Sequence, residues 1–92
     1  MSWFVYMLEC RDGSIYTGIC VDVAARYAQH VRGKGARYTR SHPPSHVLLS
    51  LACADRSEAT RLEMRIKRLS AQAKRDFVSR QTAPDILDSV TG

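Results

Sequence analysis

Five side chains able to carry a proton, an anion or a cation recur at telling places in this sequence. Tyr6 and Tyr16 sit in two strand-like runs separated by a turn signal. Arg26 and His30 are four residues apart, so on a helix one stands above the other. They flank an apolar stripe and do not oppose it. Glu63 lies beside Leu62 and Ile66, at the edge of a second stripe. A phenol or an imidazole can pass a proton, a guanidinium offers a planar fork, and a carboxylate suits a hard cation. Each residue also has an ordinary reading. Two strand tyrosines can be sheet packing, and His30 a partly buried helix histidine. Glu63 can form an exposed pair with Lys67, worth only about 0.3–0.5 kcal/mol. A carboxylate at the edge of a core stripe can equally point into a cleft between helix and sheet.

Charge adds a second signal. The chain has 92 residues, 14 Lys and Arg against 9 Asp and Glu, and a net charge of +5. No acid occurs between Asp22 and Asp55, and that gap holds Arg26, Arg32, Lys34, Arg37 and Arg40. A basic block in the middle of a small fold suits a polyanionic partner, and equally a solvated loop.

Several classes are excluded. The length suits one domain, and 45% hydrophobic with 25% charged residues is globular composition. No apolar run approaches membrane-spanning length, so no membrane partner is expected. The start has no basic segment ahead of an apolar one, so it does not read as a signal peptide. Cys10, Cys20 and Cys53 have neither C-x-x-C nor zinc-ligand spacing and read as buried thiols of a reducing, cytoplasmic setting. There is no P-loop, no G-x-G-x-x-G and no internal repeat.

The elements that must position these residues follow from periodicity. Residues 3–10 are a nearly unbroken apolar and aromatic run, which predicts a strand buried on both faces. Arg11-Asp12-Gly13 is a turn, and residues 14–20 resume as a strand. Asp22 caps a helix over 23–32 with Val23, Tyr27 and Val31 as its stripe. Residues 33–46 read as a loop, and 46–53 as a third strand. Asp55 and Glu58 form a capping-box variant ahead of a helix over 56–69, with Ala59, Leu62, Ile66 and Leu69 inward. Ser70 caps a last helix over 71–80, and 81–92 read as a loose tail. The expected fold is therefore α+β: a single domain over 1–80, with a small three-stranded, mostly antiparallel sheet flanked by helices in the order ββαβαα.

The hairpin leaves one question open. A two-residue loop places Tyr6 opposite Ile19, with the two tyrosines on opposite faces. A three-residue loop with Gly13 in the left-handed conformation places Tyr6 opposite Gly18, and the tyrosines then share a face. Asp-Gly permits both, and the second is preferred because Gly18 opposite Tyr6 leaves an open spot beside both hydroxyls.

At these residues the sequence resembles the GIY-YIG nuclease superfamily. The resemblance rests on Val5-Tyr6, then nine residues, Tyr16-Thr17-Gly18, Arg26, His30 and Glu63. It covers about residues 3–78. The runs Gly33 to Arg40 and Arg56 to Ala59 resemble the short, stand-alone YhbQ-like branch. The resemblance implies an endonuclease that hydrolyses phosphodiester bonds in DNA, in repair or recombination, with one Mg²⁺ or Mn²⁺ ion. It implies Glu63 as the metal ligand, Arg26 on the scissile phosphate, and Tyr6 and Tyr16 as site tyrosines. Tyr6 is preferred as the group that takes a proton from the attacking water. His30 would position water or shuttle a proton, and Gly18 is the motif glycine. Charge and aromatic placement separately suggest that Lys34, Arg37 and Arg40 track a nucleic-acid backbone while Tyr38 stacks a base.

The chain departs from the family pattern in three ways. Phe4 stands where the first motif glycine would be. No asparagine occurs anywhere, so the late asparagine of larger members is absent. Only a tail follows the last helix, where larger members carry DNA-binding domains. The expectation is therefore weak or partner-dependent cleavage by a monomer or weak dimer, with a protein partner for targeting. The competing readings are a nucleic-acid-binding module of the same fold with little catalysis, and an interaction domain for an acidic protein.

Overall fold

Trp3 to Cys10 has apolar side chains at both parities, so both faces of this strand demand cover. In the computed structural model, which describes residues 2–91 and their side chains through 81, that strand is β1 (Trp3–Cys10) at the centre of a three-stranded sheet. It pairs antiparallel with β2 (Ile15–Cys20) on one side and β3 (Pro44–Cys53) on the other. Tyr6 stands opposite Gly18. The hairpin is therefore the three-residue form, and Gly13 has φ +87°, which glycine adopts without a Cβ penalty. Tyr6 and Tyr16 share a face.

Odd and even residues of β1 and β2 separate into two cores. Val5, Met7 and Ile15 pack with Ala59, Leu62 and Ile66 of α3 (Arg56–Lys67) and with Phe77 and Val78 of α4 (Ala71–Thr91). Tyr6, Leu8, Tyr16 and Cys20 pack with Val23 and Tyr27 of α1 (Val23–Val31). The sheet is thus a middle layer, with α1 on one face and α3 and α4 on the other.

The caps explain where the helices begin. Asp22 accepts from the Ala25 N–H at 3.0 Å, and Ser70 Oγ from the Ala73 N–H at 3.1 Å. Asp55 accepts from the Glu58 N–H at 2.8 Å, while Glu58 reaches back to the Ala54 N–H at 2.8 Å. Asp55→Ala is expected to cost about 1 kcal/mol of stability, read as a lower urea midpoint at unchanged slope.

Three expectations are corrected. Residues 33–46 are not all loop: α2 (Arg37–Ser41) interrupts them and β3 begins at Pro44, so the order is ββααβαα. On α1 the inward positions are Val23, Tyr27 and His30, while Val31 is 57% exposed. The backbone expected as a tail continues α4 to Thr91, through Pro84; its side chains beyond residue 81, with residue 92 itself, lie outside the described residues. The run Ala71 to Arg80 is rich in strong helix formers. Among the described residues no helix is long and apolar enough to cross a membrane.

Candidate active site

The site is assembled on the α1 face of the sheet. β1 supplies Tyr6, β2 supplies Tyr16, and the inward turn of α1 supplies His30. Tyr6 and Tyr16 have ring centroids 6.2 Å apart, and His30 lies 5.8 Å from Tyr6 and 5.1 Å from Tyr16. Such close rings need the small residue between them. A Cβ on Gly18 would lie 2.6 Å from the Tyr6 hydroxyl and 3.0 Å from the Tyr16 ring.

Tyr6, His30 and Thr39 are each about 1% exposed. Three buried polar side chains are tolerated because they bond one another. The Tyr6 hydroxyl meets His30 Nε2 at 2.8 Å, and His30 Nδ1 meets Thr39 Oγ1 at 2.7 Å. Thr39 arrives on α2, which also brings Tyr38 to within 5.9 Å of Tyr16. His42, at the end of α2, stacks on Tyr38 at 4.2 Å and pairs with Asp12 in the hairpin turn. Hydrogen bonds from Ser14, together with His42, hold the Asp12 carboxyl well below the usual range.

Burial decides between the two tyrosines. It pushes the Tyr6 phenol well above its usual range; Tyr16 adds to this and Arg26 opposes it. Tyr16 is only half-buried and lines a cleft of about 280 Å³ with Ile15, Thr17, Tyr38, Lys67 and Lys74. The closed position of Tyr6 counts against the preference for it as the water-facing group, because a group that touches water must be reachable. A larger cleft of about 440 Å³ runs along the other flank of α3 and holds none of the candidate residues.

Arg26 is half-buried one turn before His30, and its guanidinium donates to Gln29 at 2.8 Å. Glu63 sits on α3, which packs against β2 and β1. Its side chain is 18% exposed, and its carboxylate accepts from Lys67 Nζ at 3.2 Å. Lys67 lines the cleft beside Tyr16, whereas Glu63 is not among the residues that line it. Lys34, Arg37 and Arg40 are exposed along the outer side of the loop and α2. Tyr38 is not a free platform, since its ring is already stacked.

Three contributors have weak sequence signals. Lys67 was visible only as the i,i+4 partner of Glu63. Lys74 and Thr39 had no signal of their own, because both arrive through tertiary packing.

Burial pushes the His30 imidazole below its ordinary pKa, and Arg26 adds to the shift. Below about pH 6.5 the unfolded chain takes up a proton that the folded chain refuses. The contribution is complete above that pH and is lost as pH falls through the lower folded value. The urea midpoint should therefore fall between about pH 7 and pH 5.5, and less steeply in His30→Gln.

One carboxylate is a sparse donor set. Among the described residues no group of three or more His, Cys, Asp or Glu could hold a metal ion. Mg²⁺ tolerates this because it keeps several waters and takes one or two carboxylates. The Glu63 side chain keeps 18% exposure, so a hydrated ion can reach its carboxylate. The residues therefore fit a hydrated Mg²⁺ or Mn²⁺ held by Glu63.

Comparison with known proteins shows the family. The model of the GIY-YIG catalytic domain matches residues 2–76. A UPF0213 protein of Cupriavidus necator is 50% identical over 84 residues, covering 91% of each chain. A UPF0213 protein of Desulfotalea psychrophila is 47% identical over 84% of this chain and 71% of its own. The solution NMR structure of the UPF0213 protein BH0048 from Bacillus halodurans has a TM-score of 0.59 at 43% identity, covering 91% of this chain and 89% of that one. GIY-YIG domains imply nuclease-type chemistry. With paired tyrosines on one sheet face, the motif glycine between them and the match running through nearly the whole folded unit, this chain belongs to the GIY-YIG family, among its UPF0213 members.

Proposed function

We propose that the protein is a metal-dependent endonuclease that hydrolyses phosphodiester bonds in DNA. The observation that carries this reading is the gathering of Tyr6, Tyr16 and His30 on one sheet face, with Arg26 beside them. Ordinary sheet packing needs no such cluster of hydroxyl, imidazole and guanidinium groups.

The roles follow from exposure and chemistry. Arg26 takes two phosphate oxygens in its planar fork, which a lysine cannot copy. Glu63 would hold one Mg²⁺ or Mn²⁺ ion, which would supply Lewis-acid polarisation of the phosphoryl group. Tyr16 faces the attacking water. A phenol has an ordinary pKa near 10, so it needs positive charge to accept a proton at neutral pH. Lys67 and Lys74 line the same cleft. Tyr16 first gives its hydroxyl proton to solvent, and the water oxygen then bonds to phosphorus as its proton passes to the Tyr16 phenolate Oη. The bond to the leaving oxygen then breaks, and that oxygen takes a proton from solvent. Tyr6 and His30 form the wall behind Tyr16. Lys34, Arg37 and Arg40 hold the strand.

The test is cleavage of branched, single-stranded and duplex DNA with Mg²⁺, comparing the wild type with Glu63→Ala. The variant should lose at least about 10²-fold in rate, the scale of one lost charge-stabilising group. Cleavage that persists in Glu63→Ala would remove Glu63 from the metal.

One observation favours a second reading. Glu63 is already neutralised by Lys67, as it would be in a module that only binds nucleic acid. In both readings Lys34→Ala weakens DNA binding and flattens the plot of log affinity against log salt by about 0.9. In the binding reading alone, Glu63→Ala changes nothing measurable. The place of such a nuclease in repair or recombination, and its setting in the cytoplasm, belong to the same proposal.

A further inference from the structure

Thr39 has no place in the proposed chemistry, yet it is among the most completely buried polar groups of the site. Its hydroxyl has a single proton, which it donates to the Ala36 carbonyl at 2.9 Å. A carbonyl can only accept, so the direction of that bond is settled. At the 2.7 Å contact with His30 Nδ1, Thr39 Oγ1 must therefore accept. Nδ1 then carries the ring proton, and Nε2 is a bare acceptor. That in turn fixes the 2.8 Å bond to Tyr6, whose hydroxyl must donate. One contact argues for the opposite tautomer, since the Ala36 N–H points at Nδ1 from 3.5 Å. That distance lies beyond the ordinary range, and the shorter 2.9 Å bond from Thr39 to the Ala36 carbonyl decides.

The consequence is mechanical as well as electronic. A ring bonded at both nitrogens cannot turn. His30 is also closed in from the loop side, where a Cβ on Gly35 would lie 2.3 Å from Nδ1. Held in this way, its ring forms one wall against Tyr16, 5.1 Å away and tilted by 59°.

We propose that Thr39 is a positioning residue of the site: it fixes the tautomer and the ring plane of His30, and through that ring the place of Tyr16. The role rests on the nuclease reading for its catalytic meaning, but the tautomer does not. It also makes α2 part of the working site, since Thr39 and Tyr38 are neighbours on one short helix and hold His30 and Tyr16 respectively.

The test joins long-range ¹H–¹⁵N spectra of the His30 ring to single-turnover cleavage. The wild type should show one tautomer, protonated at Nδ1. Thr39→Val keeps the shape and removes the acceptor. It should give a tautomer mixture and a cleavage rate lower by about tenfold, the scale of a modest misplacement, with substrate binding unchanged. Thr39→Ser should restore both. A wild type protonated at Nε2 overturns the proposal even if Thr39→Val does not fold. A Thr39→Val protein that keeps the wild-type tautomer overturns it as well, as does a rate loss that Thr39→Ser fails to restore. A wild type that cleaves no DNA but shows the Nδ1–H tautomer refutes the nuclease reading and supports the hold of Thr39 on His30.

Discussion

Tyr16→Phe is expected to lower the single-turnover cleavage rate by roughly 10²–10⁴-fold, the range of a lost proton-transfer group. Its fold should survive, because the Tyr16 ring keeps its neighbours Tyr6, His30 and Tyr38. Tyr6→Phe should behave differently. It removes the partner of His30 Nε2 inside a closed site, which costs about 1–3 kcal/mol of stability. Its rate loss should be the smaller of the two. Urea denaturation and single-turnover assays on the same preparations separate these outcomes. A folded Tyr6→Phe protein that cleaves more slowly than Tyr16→Phe would return the water to Tyr6.

Gly18→Ala should damage both stability and rate. The added Cβ would meet the Tyr6 hydroxyl at 2.6 Å and its ring carbon Cζ at 2.8 Å. Neither atom is the loose end of a flexible chain, since the hydroxyl is bonded to His30. Overpacking of this kind costs about 1–3 kcal/mol. The displaced ring should also loosen the Tyr6–His30 bond. The expected result is a lower urea midpoint together with slower cleavage. A variant with wild-type stability and rate would show that the ring approach at Gly18 is not needed.

The strands and caps were legible because short-range physics decides them. Trp3 to Cys10 is apolar at both parities, and Asp22, Asp55 and Ser70 cap where their side chains meet the first free N–H groups. The hairpin register was open in the sequence, since Asp12-Gly13 serves either turn, and cross-strand packing settles it. The position of His30 was harder to foresee. Periodicity marks a stripe but does not choose which flank turns inward. Here bonds to Tyr6 and Thr39 let a histidine take the inward place that Val31 was expected to hold. The α2 helix escaped because five residues are too few to show a period. The unequal burial of Tyr6 and Tyr16 is likewise invisible in strand alternation, which puts both on one face and says nothing about what covers them.

The three cysteines offer a use outside the proposed chemistry. Cys20 belongs to the core behind α1, Cys53 to the core beneath α3, and Cys10 is buried at the end of the central strand. Burial pushes all three thiols up, so the reactive thiolate is scarce in the folded protein. An alkylating reagent therefore reaches each sulfur only when the layer above it opens. Residue-resolved labelling rates would time the lifting of α1 and of α3 separately, with natural residues as the probes.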